Sequence, residues 1–304
     1  MLRRTPAGRG AAYGAGAYLL WGLFPLYWPR LEPSSSLEVL AHRVLWSLLV
    51  VALLLALTRR TGNLRAVVAD RGLVTRLAVA AVVVAVNWGA YIYGVTSGQV
   101  VETSLGYFVN PIVTVLLAVL VLGERLRPAQ WTALGIAFLA VLVLSVENGR
   151  PPWIALLLAF SFATYGLIKK TAAVGAVEGL AVETAVLLPL AAGYLGYLVA
   201  TGTSTFGTEG AGHAGMLATT GLVTAVPLLL FASAATRVSL TTLGLLQYLA
   251  PTMQFLLGVL VLGEPLPPVK LAGFVLVWSA LALFTADLAR HHRRQLRLAV
   301  HPPT

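Results

Sequence analysis

The sequence predicts an all-α integral membrane protein of ten transmembrane helices, built as two five-helix repeats of opposite orientation. The first observation is composition, because 58% of the 304 residues are hydrophobic and only 11% are charged, against about 25% charged in an average soluble domain. The second is that apolar runs of about 20 residues, long enough to cross a bilayer as helix, recur along the whole chain. The third is a repeat, in which the stretch from Pro111 to Pro128 returns at Pro251 to Pro268.

Ten candidate spans lie between charged or Pro- and Gly-containing breaks. They cover residues 11–29, 36–57, 75–96, 99–122, 129–146, 152–168, 177–199, 214–236, 239–262 and 269–288. The first span follows three arginines, as the apolar core of a signal peptide does. More hydrophobic spans and no secreted domain come after it, so we predict that it is retained as a helix.

The repeat becomes visible when the chain is shifted against itself by 140 residues. This shift gives 11 identities in the 18 positions from Pro111 to Pro128, including both prolines and a Gly-Glu pair. It also aligns the Glu, Leu and Ala of LEVLAHRV (37–44) with those of VEGLAVET (177–184). We predict repeats at 1–146 and 147–288, followed by a basic cytoplasmic tail at 289–304. Because each repeat has five spans, an odd number, the two must lie upside down relative to each other, a construction typical of transporters.

The basic residues predict the orientation. With the N-terminus inside, 17 of the 21 Lys and Arg residues lie on the cytoplasmic side, three (Arg30, Arg150 and Lys270) lie outside, and Arg43 lies within a span. This distribution satisfies the positive-inside rule and places both termini in the cytoplasm. The net charge of +10 is then explained by orientation and contact with an anionic inner leaflet, and not by nucleic-acid binding.

Missing motifs exclude several kinds of chemistry. The chain has no cysteine, which rules out thiolate nucleophiles and Cys-ligated zinc. It lacks a Walker-type phosphate loop and an HExxH zinc motif, and four of its five histidines fall in predicted loops or the tail. We therefore predict no cofactor and no metal. Spans 1 and 6 contain no acidic residue, which argues against a cation exporter built on a first-helix carboxylate.

Six segments carry a resemblance to a known family. They are AYLLWGLFPLYW (17–28), LEVLAHRVLWSLL (37–49), NWGAYIYGV (87–95), ETSLGYFVNP (102–111), TAVPLLLF (224–231) and TTLGLLQYLAPTMQFLLGVLVLGEPL (241–266). They resemble the RarD family, in the EamA branch of the drug/metabolite transporter superfamily. The resemblance implies a ten-helix permease of the bacterial inner membrane that moves a small organic solute. Substrates in the superfamily run from amino acids to drugs, so the identity of the substrate does not transfer.

Uncharged side chains that form hydrogen bonds inside the spans are candidates to line a solute pathway, because a polar group in hydrocarbon must face protein or a wet cavity. They are Trp21, Asn87, Trp88, Tyr91, Tyr107, Asn110, Tyr165, Gln247 and Tyr248, with Tyr18 beside them. For Trp and Tyr the alternative is an interfacial belt. That alternative fits the residues at span ends, namely Tyr27, Trp28, Trp131 and Trp153.

Charged residues inside or near the spans are candidates for gating or proton coupling. His42 and Arg43 lie in span 2, and Glu183 lies at the repeat-equivalent position of Arg43 in span 7. Since inversion places those positions on opposite sides of the midplane, we predict no direct Arg43–Glu183 ion pair. Instead we predict that Arg43 pairs with Glu102 outside and Glu183 with Arg237 inside. Local snorkelling is the alternative.

The positions of certain prolines and glycines also repeat between the two halves. Asn110-Pro111 and Ala250-Pro251 fall midway along equivalent spans, which predicts kinks near a midplane site, with packing geometry as the alternative. In the Gly-Glu pairs at 123–124 and 263–264, we predict a left-handed glycine that ends one helix and a carboxylate that complements the next.

Two further functional classes are considered. One is an intramembrane lipid-modifying enzyme centred on His42, Arg43 and Glu183, which the predicted separation of these residues across the midplane disfavours. The other, a structural or sensor subunit, leaves the polar set without a task. We therefore predict a transporter and not an enzyme. The spacing Gly10-x-x-x-Gly14 permits a homodimer.

Overall fold

The computed structural model describes residues 6–58, 61–123, 126–147, 149–172, 174–235, 237 and 246–300, and these residues form helices and connections without a β-strand. In chain order the helices are α1 (Pro6–Gly22), α2 (Phe24–Tyr27), α3 (Ser36–Thr58), α4 (Thr61–Ala69), α5 (Arg71–Thr96), α6 (Val100–Leu122), α7 (Pro128–Glu147), α8 (Trp153–Ala172), α9 (Ala176–Ala200), α10 (Gly210–Ala235), α11 (Leu249–Leu256) and α12 (Pro268–Val300). A 3-10 turn (Trp28–Leu31) follows α2, and a π-helical turn (Leu257–Val261) extends α11.

Seven of these helices are long and apolar enough to cross a membrane, namely α3, α5, α6, α7, α9, α10 and α12. Two shorter apolar segments, in α8 and in α11 with its π turn, coincide with predicted spans 6 and 9. Leucines such as Leu57, Leu190 and Leu260 are more than 70% exposed, as expected where the solvent is lipid. The chain is a multi-pass helical membrane protein, as predicted. The count of ten crossings stays a prediction, because α1 is not among the candidate spans.

The start of the chain differs from the single span predicted over 11–29. Helix α1 ends at Gly22, and Pro25 and Pro29 lie in the first turns of α2 and of the 3-10 turn, where a missing N–H costs nothing. This change of direction buries Trp28 completely, so its assignment to an interfacial belt was wrong. Gly10 and Gly14 are also buried within the chain, where α1 packs against α10 and α11.

Helix α5 begins earlier than predicted, and a helix precedes it. Asp70 accepts a hydrogen bond at Oδ1 from the backbone N–H of Leu73, at 3.0 Å, which caps α5 four residues before the predicted start. The preceding connection contains α4, a helix of nine residues that is not among the predicted spans and is too short to cross a bilayer.

The two predicted repeats pack mainly against each other. Helix α3 contacts α9 and α10, α1 contacts α10 and α11, α8 contacts α5 and α6, and α7 contacts α12. The repeat relates α1 to α8, α3 to α9, α5 to α10 and α6 to α11. Exchanging the members of these pairs converts the α1–α10 contact into α8–α5, the α1–α11 contact into α8–α6, and the α3–α10 contact into α9–α5. All of these contacts are observed. A two-fold relation between the halves produces this pattern. It supports the inverted repeat, which itself stays a prediction.

Two buried glutamates at repeat-equivalent positions also make contacts between the two halves. Glu38, in the first turn of α3, accepts hydrogen bonds from the backbone N–H of Thr205 at 2.8 Å and from the Ser204 hydroxyl at 3.3 Å, in the connection after α9. Glu178, in the first turn of α9, accepts one from the Asn63 amide at 3.5 Å, in α4 after α3. Each half therefore fastens the connection that follows the equivalent helix of the other half.

The Gly-Glu pairs are only partly as predicted. Gly123 and Gly263 both have positive φ, +66° and +67°, as a left-handed helix end requires. Glu264, however, does not complement the next helix, because its carboxylate accepts the backbone N–H groups of Val100 and Val101, the latter at 2.9 Å, at the start of α6. Glu124 lies outside the described residues.

A glycine allows this contact, since a Cβ on Gly258 would lie 2.9 Å from the Val101 side chain. Pro111 lies inside an uninterrupted α6, and Pro251 lies in the first turn of α11 as far as that helix is described. The helix therefore continues through Pro111 in this structure. A hinge at either proline stays a prediction.

We predict that Glu264→Ala lowers the free energy of unfolding by about 1 kcal/mol, because two N–H groups at the start of α6 lose their acceptor. Thermal unfolding in detergent measures this change. The control is Glu209→Ala, since Glu209 is exposed on a connection. Equal midpoints for the two variants would contradict the capping role.

The same carboxylate predicts a pH effect. Burial raises the pKa of Glu264 above its ordinary value, against the opposing effect of the Val100 and Val101 N–H groups and Lys270. Because the folded pKa is the higher one, its contribution to stability is complete below the unfolded pKa and is lost as pH rises through the folded pKa. We expect wild type to lose stability as pH rises above about 4, and Glu264→Gln to lose less over the same rise. Parallel profiles would contradict this.

Candidate functional site

A buried guanidinium lies where α3, α5, α10 and the 3-10 turn meet. Arg43 is 4% exposed, and its Nε donates to the Thr224 hydroxyl of α10 at 2.9 Å. Its Cζ lies 3.9 Å from the ring centroid of Trp88 and 5.3 Å from that of Trp28. None of the ion pairs among the described residues includes Arg43. Two aromatic faces and one hydroxyl therefore provide its stabilisation.

A close helix approach brings Thr224 within reach of Arg43. Gly221, one turn before Thr224 on α10, lies against α3, and a Cβ at this position would collide with the backbone carbonyl of Trp46. Because glycine has no Cβ, the backbones of α3 and α10 come close enough for the hydroxyl to meet the guanidinium.

Asn87 joins three helices beside this group. Its Nδ2 donates to the Leu158 carbonyl at 3.1 Å and to the Ser161 hydroxyl at 2.9 Å on α8, while Oδ1 accepts from the Tyr107 hydroxyl of α6 at 3.3 Å. The rings of Tyr91 and Tyr107 lie 5.6 Å apart. The amide is almost fully used by protein groups, so Asn87 positions the wall of the site and is less free to bind a solute than the sequence suggested.

Other buried polar atoms lack a hydrogen-bonding partner among the described residues. Near Arg43 these include the indole N–H of Trp28, the hydroxyl of Tyr91 and, one turn along α3, the hydroxyl of Ser47; elsewhere they include Asn110 Oδ1 and Gln254 Oε1. Gln254, which the sequence analysis did not select, donates through Nε2 to the Trp21 carbonyl at 3.1 Å.

The predicted pathway residues do not form one site. Trp88, Tyr91 and Tyr107 surround Arg43 or Asn87, and Trp21 packs against the same apolar cluster as Tyr91. Tyr248 packs instead against the cluster formed by α6, α7 and α12, and its neighbour Gln247 is half-buried. Tyr165 belongs with Glu183, described next.

Glu183 forms a separate buried group with residues of α8. Its Oε1 lies 2.7 Å from the Lys169 ammonium, and its Oε2 accepts from the Tyr165 hydroxyl at 3.1 Å. Gly179, one turn away on α9, leaves room for this contact, because a Cβ there would collide with Lys169 Nζ. The sequence predicts Lys169 only as one of the basic residues on the cytoplasmic side. In the structure its side chain reaches into the bundle and contacts Glu183.

Neither predicted gating pair is formed. Glu102 accepts from the backbone N–H of Ile154 at 3.0 Å and lies 3.8 Å from Arg150, because the start of α8 offers it both a donor and a charge. Arg43 points instead to the aromatic interior. Glu183 has Lys169 and Tyr165 as partners, while Arg237 donates to the Ser233 carbonyl at 2.7 Å.

His42 faces away from these groups, toward the connection after α9. Its Nδ1 accepts from the Trp46 indole N–H at 3.3 Å, and its ring stacks on Phe206 with centroids 4.9 Å apart. It therefore contacts the same connection that Glu38 binds.

An apolar groove of about 300 Å³ lies between α1, α2 and α10. Its walls are Leu20, Leu23, Phe24, Tyr27, Leu222, Val223, Val226 and Pro227. The Tyr27 hydroxyl donates to the Met216 carbonyl at 2.9 Å, and Val223 is next to Thr224. Thr224 itself is not among the lining residues, and Leu20, Leu23, Leu222 and Val226 are 38% to 52% exposed, so the groove opens at the surface of the described chain.

We predict opposite stability effects for two glycines of α9. Gly179→Ala displaces Lys169 and leaves the Glu183 carboxylate buried without its cation, so it should lower the free energy of unfolding by about 1–3 kcal/mol. Gly193→Ala enters open space and should raise it by about 0.5–1 kcal/mol through helix propensity. Thermal unfolding in detergent compares them, and a stabilised Gly179→Ala would contradict the role of the ion pair.

Comparison with known proteins identifies the family. The EamA-like transporter family matches residues 8–146. The chain is 56% identical over 296 residues to Protein RarD of Streptomyces exfoliatus, covering 97% of this chain and 94% of the relative. It is 41% identical over 289 residues to the uncharacterized transporter YojE of Bacillus subtilis, covering 94% and 96%. One solved crystal structure shares the fold at 20% identity with a TM-score of 0.57, over 92% of this chain and 98% of that one. The chain therefore belongs to the RarD family of EamA-like transporters, as the sequence motifs indicated.

Proposed function

We propose that this transporter is a secondary-active or facilitative permease that moves a small organic solute across the bacterial inner membrane by alternating access, with both termini in the cytoplasm. The observation that carries the proposal is the repeat-symmetric packing of the two halves. In an inverted pair, exchanging the conformations of the halves converts an outward opening into an inward one. The relatives named as transporters support the same class of function.

The site around Arg43 suits this mechanism because both halves build it. Helices α3 and α5 of the first half supply Arg43 and Trp88, and α10 of the second half supplies Thr224. A movement of one half against the other therefore changes the contacts of the guanidinium directly.

The gating contacts in this proposal differ from the pairs predicted at first. At the end where α3 begins, Glu38 holds the connection after α9. At the equivalent place in the second half, where α9 begins, Glu178 binds Asn63 and Glu183 binds Lys169. We propose that these contacts release alternately, with His42 and Glu183 as the proton-responsive groups if transport is coupled to protons.

The alternative of a lipid-modifying enzyme has no support in the geometry. His42 contacts Trp46 and Phe206, Arg43 contacts Thr224 and two tryptophans, and Glu183 contacts Lys169 and Tyr165. The three side chains have separate partners, so they do not form the adjacent nucleophile and base that such chemistry needs.

We predict that repeat-equivalent positions lie on opposite sides of the membrane. The chain has no cysteine, so Ala69→Cys and Glu209→Cys, both exposed and separated by the 140-residue shift, each create a unique thiol. In intact cells a membrane-impermeant maleimide should label Glu209→Cys only, and after permeabilisation it should label both. Labelling of both positions from the same side would contradict the inversion.

We predict that the purified protein in proteoliposomes gives saturable flux for at least one member of a metabolite and drug panel. Trp88→Ala should lower that flux about tenfold or more, because the guanidinium loses its closest aromatic face. Trp131→Ala, at an exposed position, is the control. Gln247→Ala tests whether the half-buried amide also lines the pathway. Lipid turnover without solute flux would instead favour the enzyme.

A further inference from the structure

We propose that the transported solute carries an anionic group and that Arg43 binds this group inside the bundle. The inference rests on the proposed transport function and adds the charge of the solute to it. The observation behind it is a set of buried hydrogen-bond donors around Arg43 that no acceptor of the described chain occupies.

Arg43, Trp28 and Tyr91 each carry an N–H or O–H group that can donate a hydrogen bond. A guanidinium carries five N–H donors, and the hydrogen bond of Arg43 within the described chain is the one from Nε to Thr224. Trp28 and Tyr91, both at most 3% exposed, leave the indole N–H and the phenol hydroxyl without a partner. Tyr91 and Trp28 belong to the same buried cluster, and the Arg43 Cζ lies 5.3 Å from the Trp28 ring. Each of these groups can donate a hydrogen bond to an anion, and a carboxylate matches the planar fork of the guanidinium.

The acids near this part of the bundle have other partners. Glu38 is bonded to the connection after α9, Glu102 to the start of α8, and Glu183 to Lys169. A buried cation without a counterion costs free energy, of which the Trp88 and Trp28 rings offset only part. An anion that arrives with the solute supplies the missing counter-charge.

The repeat shows where the counterion is missing. Glu183 is the 140-residue equivalent of Arg43, and it has Lys169 at 2.7 Å. The equivalent of Lys169 in the first half is Pro29, which follows Trp28. The second half therefore carries its own ion pair, whereas the first half has an uncharged proline at the corresponding position.

The surroundings specify the rest of the solute. The face of Trp88 covers the guanidinium at 3.9 Å, and the ring of Trp28 lies 5.3 Å from it, so the groups beside the charge are aromatic. The solute class that fits is a small monocarboxylate or similar monoanion with an apolar or aromatic body.

Matched probe pairs test this proposal by binding. Benzoate, phenylacetate and hexanoate are compared with benzamide, phenylacetamide and hexanamide on the protein in phosphatidylcholine nanodiscs, by calorimetry and tryptophan fluorescence. At least one acid should bind about tenfold or more tightly than its amide. A panel in which no acid is preferred overturns the proposal.

Variants of Arg43 test whether this residue causes the preference for acids over amides. Arg43→Met should weaken acid binding by about 10- to 100-fold without changing amide binding, and Arg43→Lys, which keeps the charge but not the fork, should fall between. Arg76→Met, at an exposed position of α5, is the control and should bind like wild type. An acid preference that survives in Arg43→Met overturns the proposal.

A folding measurement separates binding from structure. Arg43→Met should keep or raise the thermal midpoint in the same nanodiscs, because it removes an uncompensated buried charge. A lowered midpoint with equal losses for acids and amides makes Arg43 structural and overturns the proposal. Displacement of the acids by added phosphatidylglycerol assigns the site to a lipid headgroup, which also overturns it.

Flux measurements in proteoliposomes keep the two proposals distinct. Arg43-dependent acid binding without flux of any solute contradicts the transport function and leaves the anion site standing. Saturable flux of the amides with no preference for the acids supports transport and overturns the anion site.

Discussion

In hydrocarbon every polar group must find its partner within the protein, and the arrangement of this bundle follows from where its few polar side chains find theirs. The partners lie mostly in the other half of the chain. Glu38 binds the connection after α9, Glu178 binds Asn63, and Glu264 binds the start of α6. Each contact crosses between the two repeats, so the halves cannot separate at either end without exposing a carboxylate or a row of N–H groups. The same requirement makes the few donors that remain unpaired informative.

The repeats share their framework but differ in how they neutralise charge. Glu183 is satisfied by Lys169 and Tyr165, so the second half is complete by itself at this position. Among the described residues, Arg43, its equivalent, is contacted by one hydroxyl and two ring faces. A symmetric pair of ion pairs would lock both ends equally. The observed asymmetry leaves Glu183 paired with a cation of its own half and Arg43 without a paired carboxylate among the described residues, which is the difference on which the proposed anion site rests.

The features that the sequence predicted are those with a local or periodic signal. Apolar runs located the helices, the 140-residue shift related Glu38 to Glu178 and Arg43 to Glu183, and family motifs contained Asn87 and Trp88. The errors concern partners. Arg43 and Thr224 are 181 residues apart, and Glu264 and Val100 are 164 apart, and no spacing rule links such positions. Trp28 was misplaced because Pro25 and Pro29 turn the chain inward, which a hydropathy window does not detect.

The position of Arg43 on α3 relates the proposed anion site to one end of the bundle. Glu38 and His42 lie one turn apart on α3 and contact the connection after α9, through Thr205 and Phe206. Arg43, the next residue along, points to the central aromatic groups instead. In the proposed mechanism, a shift of α3 that brings the guanidinium onto an anion also moves Glu38 and His42 against that connection. Glu38 and Arg43 are five residues apart, about one and a half turns of helix, and a helix transmits such a shift as a rigid element. The carboxylate that holds the two halves together would then also connect the proposed anion site to the contact at this end of the bundle.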